Sequence, residues 1–258
     1  ALRQEIPLSP LASYPDELKP MQSHQDPAVL YNGMIHPLVP FALRGAIWYQ
    51  GESNHREGMV YRDKMEALID GWRTVWKQES LPFYYVQIAP FVYGNEDPFI
   101  LPRFWEAQSA AMEIPDTGMV VVHDIGNLRD IHPRNKQGVG RRLSLWALAR
   151  TYGRDLVYSG PMYKDMKIEG NRIRVFFDHV GSGLASRDGK PLTWFEIIGQ
   201  GTDFVQAQAE IDGDTVLLEA PQVTEPAAVR FAWHRNAEPN LMNEEGLPAV
   251  PFRAGEVP

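Results

Sequence analysis

Apolar runs without alternation and stretches of helical spacing take turns along the first part of the chain, and strict alternation replaces both in the last hundred residues. Residues 46–49, 81–91 and 119–122 are largely apolar or aromatic, the pattern of strands covered on both faces in a parallel sheet. Between the first two, Tyr61, Met65, Leu68, Trp72 and Val75 recur at helical spacing among charged residues and predict an amphipathic helix. Residues 102–112 suit a second helix with Pro102 in its first turn. Residues 135–152 suit a third, with Val139, Leu143, Trp146 and Ala147 on one face and Gly153 as its stop. The order strand, helix, strand, helix, strand predicts a parallel sheet with right-handed crossovers. Ahead of it, residues 1–27 carry Pro7, Pro10, Pro15, Pro20 and Pro27 and read as an extended linker. Residues 28–43 read as a short helix interrupted by Pro37 and Pro40.

From Tyr158 onward the period becomes two. Residues 166–168 and 173–177 flank Gly170-Asn171, and residues 204–211 face 215–219 across Asp212-Gly213-Asp214, so both predict hairpins. With 194–198 and 228–233 added, the segment predicts a small antiparallel β-sandwich. The expected division is an α/β domain with its N-terminal linker in residues 1–157 and the sandwich in 158–258.

Composition narrows the range of partners. The 258 residues are 44% hydrophobic and 22% charged, which suits a globular chain with a substantial core. A net charge of -8 without a basic stripe argues against nucleic acid or an anionic membrane surface as the main partner. No apolar run reaches the ~20 residues needed to span a bilayer. With no cysteine there is neither a disulfide framework nor a thiolate nucleophile.

Two strand ends carry chemistry. The first strand runs into Gln50-Gly51-Glu52-Ser53-Asn54, and ligands of open α/β sheets sit beyond the carboxyl ends of strands. Gln50, Gly51 and Asn54 can donate hydrogen bonds to an oxyanion, whereas ionised Glu52 can only orient a neighbour or contact substrate. The plain alternative is a capped loop with Ser53 or Asn54 as the helix N-cap. The third strand runs into residues 123–133, where His132 follows Asp130 by two positions. A loop histidine oriented by a carboxylate can act as the general base that activates a serine, and Asp124 competes with Asp130 for the orienting role. His55 near Glu52, and His123 beside Asp124, raise a metal site, but the spacing fits no standard zinc pattern and no metal is expected. His36, His179 and His234 stand alone and suit structural roles. Trp194, Phe195, Phe231 and Trp233 suit a sandwich core, with a carbohydrate-binding face as the alternative.

Residues 31–35 (Tyr-Asn-Gly-Met-Ile), 45–54, Asp124-Ile125-Gly126, Asp130-Ile131-His132-Pro133 and 240–243 (Asn-Leu-Met-Asn) together resemble the sialate O-acetylesterase family of SGNH-type hydrolases. The resemblance runs from about Tyr31 to Phe252. It implies a flavodoxin-like three-layer α/β/α domain, here incomplete, and a serine mechanism that removes acetyl groups from sugars without a cofactor. It carries His132 over as the base and Asp130 as its partner, with Gln50, Gly51, Glu52 and Asn54 as the oxyanion and substrate block. The family's nucleophile block, a Gly-Gln-Ser-Asn or Gly-Asp-Ser sequence after the first sheet strand, has no counterpart in the chain. Ser23 follows no strand, and Ser53 belongs to a different block. The expectation is therefore that the serine comes from an N-terminal fragment of the same enzyme, outside this chain, which would also cover the exposed edge of a three-stranded sheet. An acetylated carbohydrate is the expected substrate and a periplasmic or secreted location the expected compartment. The rival readings are an acetylxylan esterase, and a non-catalytic carbohydrate-binding protein on the same scaffold.

Overall fold

The computed structural model describes residues 23–24, 26, 28–39 and 41–257. Most of the proline-rich linker expected in residues 1–27 lies outside them. The chain divides into two units, Ala1–Ala42 and Leu43–Pro258. In the first, a wide helical turn at Tyr31–Ile35 runs into a tighter one at His36–Leu38, with Pro37 in its first turn. This is the interrupted helix that the two prolines predict.

The second unit opens with three parallel strands, β1 (Ala46–Trp48), β2 (Phe83–Val86) and β3 (Thr117–Val120), side by side in chain order. They are joined by α1 (Val60–Trp76) and α2 (Ile100–Ala110), and α3 (Lys136–Trp146) follows β3. Side chains alternate across the sheet, so its two faces collect different partners. Phe83, Tyr85, Met119 and Val121 meet Tyr61, Met65 and Ile69 of α1 and Leu101, Phe104 and Trp105 of α2. On the other face Tyr84, Val86, Val120 and Val122 meet Val139, Leu143 and Trp146 of α3. A large side chain fully withdrawn from water stabilises by about 1.5–3 kcal/mol, so these two layers carry most of the stability of this half. Gly118 is a condition of the second layer, because a Cβ there would lie 2.3 Å from the Trp146 ring.

Several sequence expectations change in detail. The first strand, expected to be covered on both faces, has no buried residue and leaves Ile47 68% exposed, and the third runs over Thr117–Val120 rather than 119–122. The buried stripe of α1 is Tyr61, Met65, Ile69, Arg73 and Trp76, turned from the expected Leu68, Trp72 and Val75. Arg73 belongs on it because its guanidinium caps the carbonyls of Leu81 and Pro115. The 81–91 run pairs as a strand only to Val86; beyond it Gln87 and Ile88 bond to α2 through Trp105 and Gln108. The third helix is regular only to Trp146 and widens at Ala147–Thr151 before Gly153, which has φ +65°. Neither Ser53 nor Asn54 caps α1, whose first residue lies farther along and whose N-cap position, Met59, makes no side-chain bond.

The alternating half forms two four-stranded antiparallel sheets. The first has the order β4 (Met162–Glu169), β5 (Arg172–Asp178), β10 (Thr215–Glu219), β9 (Gln208–Asp212). The second has the order β13 (Phe252–Gly255), β11 (Pro226–Phe231), β7 (Phe195–Gly199), β8 (Val205–Gln206). A two-stranded ribbon joins β6 (Leu184–Ser186) to β12 (Leu241–Asn243). Both expected hairpins are present, but the 204–211 run splits at Ala207: its first part pairs with β7 in one sheet and its second with β10 in the other. Ile173, Val175, Val216 and Leu218 face Phe195, Ile197, Val229 and Phe231 in the core. Phe195 and Phe231 are buried there, Trp233 is buried outside that core beneath the Arg253 guanidinium, and Trp194 is partly exposed. Val250 and Met162 reach the α1/α2 layer, so sandwich and sheet share a boundary.

Candidate functional site

All three parallel strands release the chain at one edge of the sheet, and neighbouring strands lie about 5 Å apart. The exits are tied together: Val92 N–H donates to the Leu128 carbonyl at 3.1 Å, and the Lys136 ammonium stands 4.6 Å over the Tyr49 ring. The first-strand block and the third-strand loop therefore flank the β2 exit.

The block 50–54 is built by its own hydrogen bonds. Gly51 has φ +150°, and a Cβ there would stand 3.0 Å from the Phe104 ring and 3.1 Å from Ile88, so only glycine fits. Gln50 Nε2 donates to Asn54 Oδ1 at 2.6 Å, and Asn54 Nδ2 donates to Glu57 Oε1 at 2.9 Å. The Tyr61 hydroxyl, from α1, lies 3.0 Å from the Gln50 carbonyl and 3.1 Å from its side-chain oxygen. Each amide has two N–H groups, so Gln50 and Asn54 each keep one donor beyond these contacts.

Glu52 has no side-chain hydrogen bond among the described residues, yet three tyrosines feel its charge. Burial, and then Glu52, push the Tyr49 hydroxyl up to about 12. Burial likewise pushes Tyr61 up to about 12 and raises Tyr93, with Glu52 contributing to both. The phenols stay protonated at any physiological pH. The hydroxyls of Tyr49 and Tyr93 are buried without a partner among the described residues.

Behind the block lies a shell that sequence reading missed. The His55 ring stacks on Tyr93 at 3.8 Å with 11° between planes. Its Nδ1 lies 2.7 Å from the Glu52 carbonyl and its Nε2 lies 2.8 Å from Glu96. Glu96 also binds Arg56, and that hydrogen bond, followed by the one from His55, holds its carboxyl below the usual carboxylate range. Only the adjacency of His55 to the block signals this in the sequence; Glu96 arrives from the loop after β2.

His132 is 89% exposed and points its ring into solvent. Asp130 Oδ1 accepts the His132 backbone N–H at 3.1 Å, stands 4.0 Å from Nδ1 of the ring, and shares its other oxygen with Arg134 at 3.7 Å. The carboxylate thus fixes the backbone of the histidine and lies one short side-chain rotation from its ring. Asp124 is committed elsewhere, in a two-pronged ion pair with Arg142 of α3 at 2.7 and 2.6 Å. His123 is fully buried against Trp105, with neither ring nitrogen bonded among the described residues, and burial drives it down to about 3. His234 accepts the Asn236 N–H through Nδ1 and stacks on Trp194. Among the described residues no three histidine, aspartate or glutamate side chains converge as a metal site would require.

A parallel sheet with helices on both faces and polar groups gathered at its carboxyl edge defines an α/β protein of the class that binds ligands at that edge. The family described as carbohydrate esterase, sialic acid-specific acetylesterase matches residues 13–144, half of the chain, and the chain belongs to it. The sialate O-acetylesterases of Rattus norvegicus and Homo sapiens are 35% and 34% identical to it over 161 residues, 55% of this chain. The match spans 30% and 31% of those proteins. The crystal structure of a novel carbohydrate acetylesterase from Xanthomonas citri superposes with a TM-score of 0.83 at 42% identity, covering 87% of this chain and 53% of that one.

Proposed function

We propose that this chain is the part of a flavodoxin-like SGNH-type carbohydrate O-acetylesterase that carries the base and the oxyanion block, the nucleophilic serine coming from a segment outside it. The serine hydroxyl attacks the acetyl carbonyl while His132 takes its proton, with Asp130 orienting the imidazole. The spare N–H groups of Gln50 and Asn54 and the backbone of Gly51 suit the oxyanion that forms. Collapse releases the sugar hydroxyl, which takes the proton from His132. Water, activated by the same ring, then hydrolyses the acetyl-enzyme to acetate.

The observation that carries this reading is His132 itself: a fully exposed imidazole held by its own backbone beside a carboxylate, at the strand edge that also presents the donors of block 50–54. The first strand supports the second half of the reading. Ile47 pairs in register with Tyr84 on the face that α3 covers elsewhere, yet it is 68% exposed, and β1 pairs only with β2 among the described residues. An adjoining segment that brings the serine would cover both.

Replacing His132 by alanine in the complete enzyme is expected to lower kcat for acetyl release by about a thousandfold or more. A side chain this exposed supports little of the fold, so the melting temperature should not move. Unchanged turnover would remove His132 from the mechanism.

A further inference from the structure

We propose that Arg235, Glu96 and His55 form a positioning relay through which the β-sandwich fixes the oxyanion block, so that the sandwich is a working part of the site. The proposal rests on the esterase reading above for what the block does. Its geometry stands by itself.

Arg235 leaves the sandwich just after β11 and grips the 93–98 loop at three points. Its guanidinium donates to the Tyr93 carbonyl at 3.2 Å and the Glu96 carbonyl at 3.0 Å, and its backbone N–H donates to Pro98 at 2.9 Å. Those contacts set the ring of Tyr93 and the side chain of Glu96, and both act on His55: one as the stacking surface, the other as the partner of Nε2. His55 passes the constraint on through Nδ1 to the Glu52 carbonyl. A carbonyl oxygen only accepts, so Nδ1 carries a proton. Nε2 lies 2.8 Å from Glu96, which is itself bound by Arg56. The ring thus bridges Glu96 and the Glu52 carbonyl and fixes the backbone of the residue between Gly51 and Ser53. The His55 and Glu96 side chains are largely withdrawn from water, where charge-assisted bonds hold geometry best.

A second tie between sandwich and sheet supplies the control. Arg253 of β13 makes a two-pronged pair with Glu106 of α2 at 2.8 and 2.9 Å, and neither residue touches the block or the 93–98 loop. General anchoring of the sandwich would depend on both ties; a relay depends on Arg235.

The test compares Arg235→Met, Arg235→Lys, Glu96→Gln and Arg253→Met in the full-length natural polypeptide that carries this sequence. The assays are acetyl release from an acetylated sugar and amide hydrogen exchange. Arg235→Met and Glu96→Gln should each lower kcat by about tenfold to a hundredfold with KM nearly unchanged, as small misplacements of a preorganised site do. Arg235→Lys should recover part of the loss, and Arg253→Met should leave kcat as it was. The amides of Asn54 and Glu57, which close the turns of the block, should exchange faster in Arg235→Met while those of the sandwich core do not. Unchanged exchange at Asn54 and Glu57, or an equal loss of kcat in Arg253→Met, would overturn the relay. If the exchange changes appear but wild type and His132→Ala are equally inert toward acetyl esters, the esterase reading fails and the relay stands.

Discussion

His123 is a polar ring in a place that offers it nothing. Both nitrogens lack partners among the described residues, Trp105 packs 4.3 Å from it, and burial drives the imidazole from its ordinary 6.5 to about 3. The sign of the consequence follows by linkage. Between about 6.5 and 3 the unfolded chain binds a proton that the native ring refuses, so stability is full above that window. It falls by roughly 1.4 kcal/mol for each unit of pH descended within it. His123→Phe removes the titration and an unmatched polar group of similar shape, which costs about 1–3 kcal/mol when buried. The variant should be at least as stable as the wild type at pH 7 and distinctly more stable at pH 5 in denaturant titrations. Equal losses for both proteins between pH 7 and pH 5 would contradict this account. His132, nine positions on, is the opposite case, an exposed ring whose removal should leave the stability of the fold unchanged.

At the scale of elements, what was legible in the sequence is what local periodicity carries. Three parallel strands, three helices, the Gly170 and Gly213 hairpins and the polar strand exits all announce themselves in local sequence, although only β2 and β3 are buried and β1 leaves Ile47 exposed. The rest depends on long-range partners. The α1 stripe turned because Arg73 found two carbonyls in which to end. The 204–211 run split because its halves pair with strands of different sheets. Glu96 and Arg235 lie 41 and 180 positions from His55, and no spacing rule links them to it. Asp124, plausible beside a histidine in the sequence, is taken by Arg142 from the following helix. The first strand makes its own prediction. Ile47 is exposed here, so Ile47→Lys should change the stability of this chain by less than about 0.5 kcal/mol. In the complete enzyme, where the proposed segment covers that face, a buried unpaired ammonium should cost several times as much. Equal effects in the two settings, read from thermal unfolding, would argue that nothing packs on β1.

At the scale of the molecule, sheet and sandwich are joined by charged ties at Arg235 and Arg253 and by the shared packing of Val250 and Met162. The carboxyl edge gathers His132, Asp130 and the donors of block 50–54, and the chain contains no Gly-Gln-Ser-Asn or Gly-Asp-Ser sequence. On the proposed mechanism, His132 works on a serine beyond these 258 residues. The direct measurement is to treat active enzyme with a serine-directed fluorophosphonate, digest it and locate the label by mass spectrometry, in the wild type and in His132→Ala. The expected result is a label on a serine outside this sequence, lost in the His132 variant. A label on Ser53 or Ser23, or undiminished labelling without His132, would contradict it.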